Sequence, residues 1–327
     1  MPVALITGVG GQDGSYLAER LLADGVEVHA LALQGEPPPG LPGVELHTGD
    51  VTRVEEVRSL LLDLAPDEVY NLAAISSVAQ SWAEPDLTAA VNGTAAVGLL
   101  ESALQVQDRT GRAVRFVQAS SAEIFGQPAS SPQDEDTPVR PVNPYGAAKA
   151  YAHLMVRVYR ARDLHAVSAV LYNHESPRRP RQFVTRKISA GVAAIVRGEE
   201  QRLRLGNLEA RRDWGWAPDY VDALVRAART DRADDFVVAT GESHSVAEFA
   251  AAAFARAGIT DWEAYVDVDP DLLRPADPYE LRGDPGRARR ALGWEPTVGF
   301  TELVGRMVDA DLQGLVAQRG SSSSPSR

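Results

Sequence analysis

Short apolar runs recur through the first half of the chain, at 3–7, 27–33, 44–47, 68–72, 115–119 and 167–171. They are mostly apolar throughout rather than alternating, which is the pattern of strands buried on both faces. Between them the apolar positions switch to helical spacing, at 15–23, 54–64, 86–105 and 144–162. This alternation predicts an α/β fold, a parallel sheet with helices on both sides. The second half is less regular: helical stretches at 183–197, 246–257 and 300–312 mix with short strands and proline-rich loops. No internal repeat is visible.

Composition narrows the picture. A chain of 327 residues has room for one large domain or two ordinary ones, and 44% hydrophobic residues can build a substantial core. A net charge of -12 argues against nucleic acid as a partner, because phosphate backbones need a positive face. The chain has no cysteine. That excludes disulfides and thiolate metal sites and is compatible with a reducing cytoplasm; the sequence assigns no metal. The first residues, MPVALITG, lack the basic-then-apolar pattern of a secretory signal. No apolar run is expected to reach the roughly 18 residues a membrane span needs, so no membrane partner is expected. The stretch 319–327 reads as a disordered tail.

The first chemistry lies in VALITGVGGQDGSYLAERLL, where Gly8, Gly11 and Gly14 follow a strand and open a helix. Glycine lets backbone turn tightly and approach a pyrophosphate, and the helix N-terminus offers N–H groups and partial positive charge. With Gln12 and Asp13, these residues form a candidate dinucleotide cradle. HTGDVT sets Asp50 and Val51 after the third strand, where such folds hold the adenine. NLAAISS carries Leu72, Ala73, Ala74 and Ser76 past the nicotinamide side. At the end of the second strand stand Ala32, Leu33 and Gln34. These are neither the acid that usually marks NAD nor the arginine that marks NADP. Glu36 reads as a solvated loop charge.

PVNPYGAAKAYAHL reads as a helix start, with Asn143 as cap and Pro144 in the first turn. Tyr145 and Lys149 then share a face, four residues apart. An ammonium near a phenol favours phenolate, so Tyr145 is expected to have a lowered pKa and to take a hydroxyl proton. Ser121, ending the strand of FVQASS, is placed to hydrogen-bond the same substrate oxygen. Glu123 follows in SSAEIFG. A plain dehydrogenase or epimerase needs no carboxylate there. An enzyme that removes a proton next to a new ketone does.

The trio resembles the active site of short-chain dehydrogenases, and the glycine spacing resembles their extended branch. More specifically, GVGGQDGSYLAERLL, DEVYNLAA, QASSAEIFG, NPYGAAKAYAH, NHESPRR, FVTRK, LGNLEARRDWGWAPDYV and LRPADPYELRGDP resemble, in order, segments of the GDP-mannose 4,6-dehydratase family. The resemblance spans about 3–309. It implies a Rossmann-like doubly wound parallel sheet with a smaller mixed α/β substrate domain. The implied division is 1–173 with roughly 214–241 for the dinucleotide, and 174–213 with 242–318 for the nucleotide sugar. It implies that a GDP-sugar is oxidised at C4, loses the C5 proton and then water, and takes the hydride back at C6. Tyr145, Lys149, Ser121 and Glu123 would be catalytic. By the same resemblance His174 and Arg179 lie near the cofactor and Asn173 contacts the sugar nucleotide. Val184 and Lys187 approach the guanosine, in a substrate region that includes Gly206 and Asn207. Arg212 and Arg274 clamp the diphosphate, and Glu280 lies near the ribose or base. Arg178, Arg181 and Arg211 are expected to be solvated surface charges.

Three departures from the family pattern stand out. Ser121 replaces its usual threonine and Phe125 its usual tyrosine. The segment after the second strand, QGEPPPGLPG, is short and lacks the arginines that hold an NADP 2′-phosphate and reach a neighbouring subunit. NADP follows from the family, and NAD is the alternative this segment allows. Extended short-chain enzymes pair through two helices, here 86–105 and 144–162, so a homodimer is expected, with a tetramer as the family's larger assembly. The competing activities are a GDP-sugar epimerase or 4-ketoreductase on the same scaffold, and a non-catalytic dinucleotide-binding protein. A sensor has no need of Ser121, Tyr145 and Lys149 together.

Overall fold

The computed structural model describes residues 1–35, 40–272 and 278–314. Glu36, Arg274 and the expected tail at 319–327 lie outside the described residues. Seven parallel strands form the main sheet: β1 (Val3–Thr7), β2 (Glu27–Ala32), β3 (Val44–Thr48), β4 (Glu68–Asn71), β5 (Arg115–Ser121), β6 (His165–Leu171) and β7 (Asp235–Val238). Their order across the sheet is β3, β2, β1, β4, β5, β6, β7. The strand order reverses between β1 and β4, and a crevice opens at such a switch point beyond the strands' carboxyl ends.

The apolar runs become these strands because helices bury both sheet faces. Ile6, Val28 and Val117 pack in one buried cluster with Leu17 and Leu21 of helix Gln12–Ala23. Leu5, Leu31 and Phe116 pack in another with Leu61 of helix Val54–Leu64 and Leu99 of helix Ala95–Thr110. β3 departs from the all-apolar expectation. It is the sheet edge, and Glu45 and Leu46 are exposed there.

A third apolar cluster joins Ile188, Leu205, Trp214, Phe249 and Met307, all from the second half of the chain. The strands there are only two or three residues long. Asn173–Glu175 pairs with Trp214–Trp216, and Leu203–Leu205 pairs with Val266–Val268. Arg211–Arg212 lies between His244–Ser245 and Glu280–Leu281.

The helix continuing from Pro85 to Thr110 corrects one expectation. By length and composition it is apolar enough to cross a bilayer. More than half of its most apolar window is buried within the protein, against the helix Val54–Leu64 and the strands beneath. A π-turn interrupts it at Ala90–Thr94.

Candidate active site

The glycine turn is built to be tight. Gly8 has φ +75°, and a Cβ on it would sit 2.8 Å from the Ala73 nitrogen and 2.9 Å from the Leu72 carbonyl carbon. A Cβ on Gly14 would meet Val9 Cα at 2.6 Å and overlap the Gly8 oxygen. Gly11 is less constrained: its Cβ would find only the Gly8 oxygen, at 3.4 Å. Gly11 is exposed and caps the first helix, so backbone lies bare at a helix N-terminus. These residues fit a dinucleotide pyrophosphate, which needs close backbone approach and free N–H groups.

A buried polar ladder fixes the strand ends around this turn. Thr7 Oγ1 donates to Asn71 Oδ1 at 2.7 Å, and Asn71 Nδ2 donates to Gln118 Oε1 at 2.8 Å. Ala73 N in turn donates to Thr7 Oγ1 at 3.1 Å. Ala74 is half-buried and Ser76 exposed in the same loop. Asn92, which the sequence reading missed, clamps that loop from the π-turn. It accepts from Ile75 N at 2.8 Å and donates to Ile75 O at 2.9 Å. The available signal was a polar Asn-Gly pair inside an apolar helix, since π-turns favour functional sites.

Asp50 folds inward upon its own turn: Thr52 N and Thr52 Oγ1 both donate to Oδ1 at 2.8 Å. It lines a cavity with Leu31, Thr48 and Val57 at the sheet edge, where Val51 is half-buried. Nearby, His29 and His47 meet ring nitrogen to ring nitrogen at 2.9 Å beside Glu45. The other His29 nitrogen, Nε2, faces Glu27 Oε1 at 3.2 Å.

Gln12, Asp13 and His174 form one unit. Gln12 Nε2 donates to the His174 carbonyl at 3.0 Å, and Gln12 Oε1 accepts from Ser176 Oγ at 2.8 Å. His174 Nδ1 faces the Tyr172 carbonyl and Nε2 faces Asp13 Oδ2, each at 2.7 Å. Both neighbours only accept, so both ring nitrogens carry protons. Burial opposes the charge on His174, but Asp13 outweighs it and raises the pKa. Burial likewise opposes the Asp13 carboxylate; the charge and hydrogen bond of His174, with Gln12 and Arg179, hold its pKa low. Arg179 stacks on Phe183 with its guanidinium carbon 3.7 Å from the ring centre.

Ser121, Glu123, Tyr145 and Lys149 converge at the carboxyl end of β5. Asn143 caps the helix Pro144–Arg160 by accepting from Gly146 N at 2.7 Å, which sets Tyr145 and Lys149 on its buried face. Such a cap is worth about 1 kcal/mol. Tyr145 hydrogen-bonds Ser121 and feels the charges of Glu123, Arg179 and Asp13. Lys149 donates to the Ala119 carbonyl at 2.9 Å and lies 5.9 Å from the Tyr145 ring centre.

The expected lowering of the Tyr145 pKa is corrected. Burial, the largest influence, pushes it up to about 12, partly offset by the Ser121 hydrogen bond. Burial instead pushes Lys149 down to about 8. Two groups taken out of water each shift toward their neutral form, and at this separation their attraction does not reverse that.

The residues expected at the substrate side spread along the second-half strands. Asn173 opens the strand paired with Trp214–Trp216. Val184 and Lys187 occupy the first turn of helix Val184–Val196. Lys187 lines a surface cavity of about 400 Å³ with Arg181, Arg202 and Arg204. Gly206 allows a close pass, since a Cβ would lie 2.8 Å from the Leu272 oxygen. Asn207 Oδ1 accepts from Glu209 N at 3.0 Å in an exposed turn. Arg212 is buried and donates to the Pro278 carbonyl at 3.0 Å. Glu280 accepts from Ser131 Oγ at 2.7 Å and from Ser243 Oγ.

Two arginines expected as solvated charges are pinned instead. Arg178 donates to Ser15 Oγ at 3.0 Å and Glu19 at 2.7 Å, over the Tyr16 ring. Arg211 donates to the Ser243 carbonyl at 2.6 Å and pairs with Glu248 at 3.1 Å. Each ties a second-half segment to its neighbour. Arg181 is exposed, as expected.

The family model described as GDP-mannose 4,6 dehydratase matches residues 5–307. The chain belongs to this family. It is 44% identical over 326 residues to GDP-mannose 4,6 dehydratase 1 of Arabidopsis thaliana, covering 95% of this chain and 90% of that one. It is 42% identical over 342 residues to the human GDP-mannose 4,6 dehydratase, covering 95% and 91%. Among solved structures, Thermus thermophilus UDP-glucose 4-epimerase in complex with NAD superposes with TM-score 0.82 at 28% identity, covering 94% of this chain and 98% of that one. A member of the dehydratase family thus has the seven-strand sheet with Ser121, Glu123, Tyr145 and Lys149 gathered at the carboxyl end of β5.

Proposed function

We propose that the protein is an NAD(P)-dependent GDP-sugar 4,6-dehydratase, converting GDP-mannose or a related GDP-hexose to a 4-keto-6-deoxy product. The observation that carries this reading is Glu123 set beside Ser121, with its N–H on Ser121 Oγ at 3.3 Å and its carboxylate held by Asn143, the cap of the helix that carries Tyr145 and Lys149. Hydride chemistry at C4 uses a tyrosine and a hydroxyl; the extra carboxylate suits removal of the C5 proton once C4 is a ketone.

The dinucleotide would be held by Gly8, Gly11, Gln12, Asp13 and Gly14, by Asp50 and Val51, and by the loop Leu72, Ala73, Ala74 and Ser76, with His174 and Arg179 alongside. What a bound nicotinamide supplies there is a reversible hydride acceptor. In this reading Tyr145 takes the C4 hydroxyl proton and Ser121 steadies the same oxygen. Lys149, when protonated, favours the phenolate. Glu123 takes the C5 proton and assists departure of the C6 hydroxyl as water. Residues 1–173 with roughly 214–241 serve the cofactor, and 174–213 with 242–318 serve the sugar nucleotide. There Asn173, Val184, Lys187, Gly206, Asn207, Arg212 and Glu280 are the contacts this reading assigns. Forked guanidinium groups match a diphosphate.

We further infer a homodimer in the cytoplasm. Leu87, Tyr151, Leu154 and Val158 are between 46% and 50% exposed on the helices Pro85–Thr110 and Pro144–Arg160. Four such side chains on neighbouring helices favour a helix-pairing interface. Light scattering separates dimer from tetramer.

Incubation with GDP-mannose, read by NMR of the sugar, is expected to give a 4-keto-6-deoxy product with no net consumption of cofactor. Glu123→Gln should stop water loss and leave C4 oxidation. Stoichiometric cofactor consumption, or a product retaining its C6 oxygen, would establish the ketoreductase or epimerase alternative.

A further inference from the structure

The Glu123 carboxylate has an anchored end. Asn143 donates from Nδ2 to Glu123 Oε2 at 2.8 Å. Through its other end, Oδ1, it accepts from Gly146 N and caps the catalytic helix. Asn143 is buried, so one carboxamide joins the tyrosine-bearing helix to the carboxylate. Serine or aspartate would cap that helix about as well. Neither offers a carboxamide N–H to a neighbouring carboxylate while its oxygen caps; aspartate has no donor at all when ionised.

Other contacts fix the Glu123 backbone at the same place. Its N–H donates to Ser121 Oγ at 3.3 Å, and its carbonyl accepts from Gly126 N at 3.3 Å. A Cβ on Gly146 would lie 2.5 Å from that carbonyl oxygen, so the first helical turn is pressed against Glu123. The side chain itself is held by Asn143. Among the described residues Oε1 receives no hydrogen bond, so one carboxylate oxygen is tethered and the other is left for substrate.

We propose that Asn143 is a positioning residue that aims Glu123 at the C5 proton of the substrate. The inference rests on the dehydratase reading, and it separates Asn143 from an ordinary helix cap. In the step concerned, the C5–H bond breaks and the proton goes to Glu123. The electron pair conjugates with the C4 ketone, and the C6–O bond then breaks as the oxygen leaves with a proton as water. A tethered carboxylate matters for this step and not for the earlier oxidation at C4.

The test uses Asn143→Ser and Asn143→Asp in the full chain, since both keep a capping oxygen. Melting temperature and KM for GDP-mannose should stay close to wild type in N143S. Its kcat should fall about tenfold, and further in N143D, where two carboxylates face each other. On rapid mixing with GDP-mannose, N143S should show a transient near-ultraviolet absorbance of reduced nicotinamide, because oxidation outruns water loss. A cap alone would produce no such transient. A crystal structure of N143S should show Glu123 displaced. Wild-type kcat with no transient, or Glu123 unmoved in that crystal structure, overturns the inference while the dehydratase reading stands. Absence of product from wild type sinks that reading, and the N143S crystal structure then still decides whether Asn143 holds Glu123.

Discussion

Asp13 Oδ2 and His174 Nε2 lie 2.7 Å apart, although 161 residues separate them in the chain. The contact ties the glycine turn to the segment that leaves the sheet toward the second half. His174 also stacks on Tyr220, with ring centres 4.5 Å apart. The pair therefore pins the glycine turn to the strand end that carries His174.

Breaking one side of it should be costly. Asp13→Asn leaves a buried imidazole without its counter-charge and is expected to lower unfolding stability by about 3 kcal/mol. A double-mutant cycle with His174→Gln should return a coupling above about 1 kcal/mol. The sign with pH follows from the two shifts. The raised His174 pKa makes its contribution present at low pH and lost as pH rises through its folded value. The lowered Asp13 pKa makes its contribution disappear as pH falls through its folded value. Urea melts should thus show the largest wild-type advantage near about pH 5, between ordinary carboxylate and imidazole values. A difference flat across that range would contradict the ion pair.

The glycines of the cradle should not behave alike. A methyl on Gly8 or Gly14 runs into backbone, and backbone cannot step aside. Gly8→Ala and Gly14→Ala should lose cofactor binding by isothermal titration, with a lowered melting temperature. Gly11→Ala meets nothing closer than 3.4 Å and should bind the dinucleotide within about threefold of wild type. Equal losses at all three positions would mean that ligand crowding, not the turn's own backbone, sets the requirement.

Much of this was legible in the residues. The runs of β1, β2 and β4 to β6 are buried on both faces, and Asn143 and Pro144 announce the helix that carries Tyr145 and Lys149. Strand β7 and the helix Ala217–Arg229 went unread as elements, because β7 joins the sheet only after the excursion through the second half. Pairs such as Arg211–Arg212 and His244–Ser245 are too short for any hydrophobic period to register. The Tyr145 shift ran opposite to expectation because spacing along a helix reports nearness to Lys149 but not the depth of burial. Asn92 and the Asn143 link to Glu123 were hidden for a related reason. Each depends on which backbone passes in front of a carboxamide, and that is decided by the whole sheet.

Lys149 gives a second pH test, independent of turnover. Its pKa is about 8 in the folded chain, against roughly 10.4 when unfolded. Between those values the unfolded state binds more protons, so this group makes stability rise with pH. Tyr145, raised to about 12, acts in the opposite sense only above roughly pH 10. Denaturant melts from about pH 8 to about pH 10 should therefore favour wild type progressively over Lys149→Met. A constant gap would show that the ammonium is better solvated than its burial implies.

Asn92 offers the last test, because it touches the loop Leu72 to Ser76 without belonging to it. Its side chain makes a two-way contact with the Ile75 backbone and is 2% exposed. The π-turn at Ala90–Thr94 leaves the regular α-helical pattern in the segment that carries it. Asn92→Ala should strand the Ile75 N–H and carbonyl, costing about 1–3 kcal/mol. The turn is then free to relax toward regular helix, and the loop carrying Leu72 to Ser76 loses its two-way side-chain clamp, keeping only the Thr7 Oγ1 contact at Ala73 N among the described residues. Dinucleotide affinity is expected to fall about tenfold while the affinity for GDP, measured separately by titration, stays unchanged. Equal weakening of both ligands would instead mean that the substitution disturbs the fold as a whole.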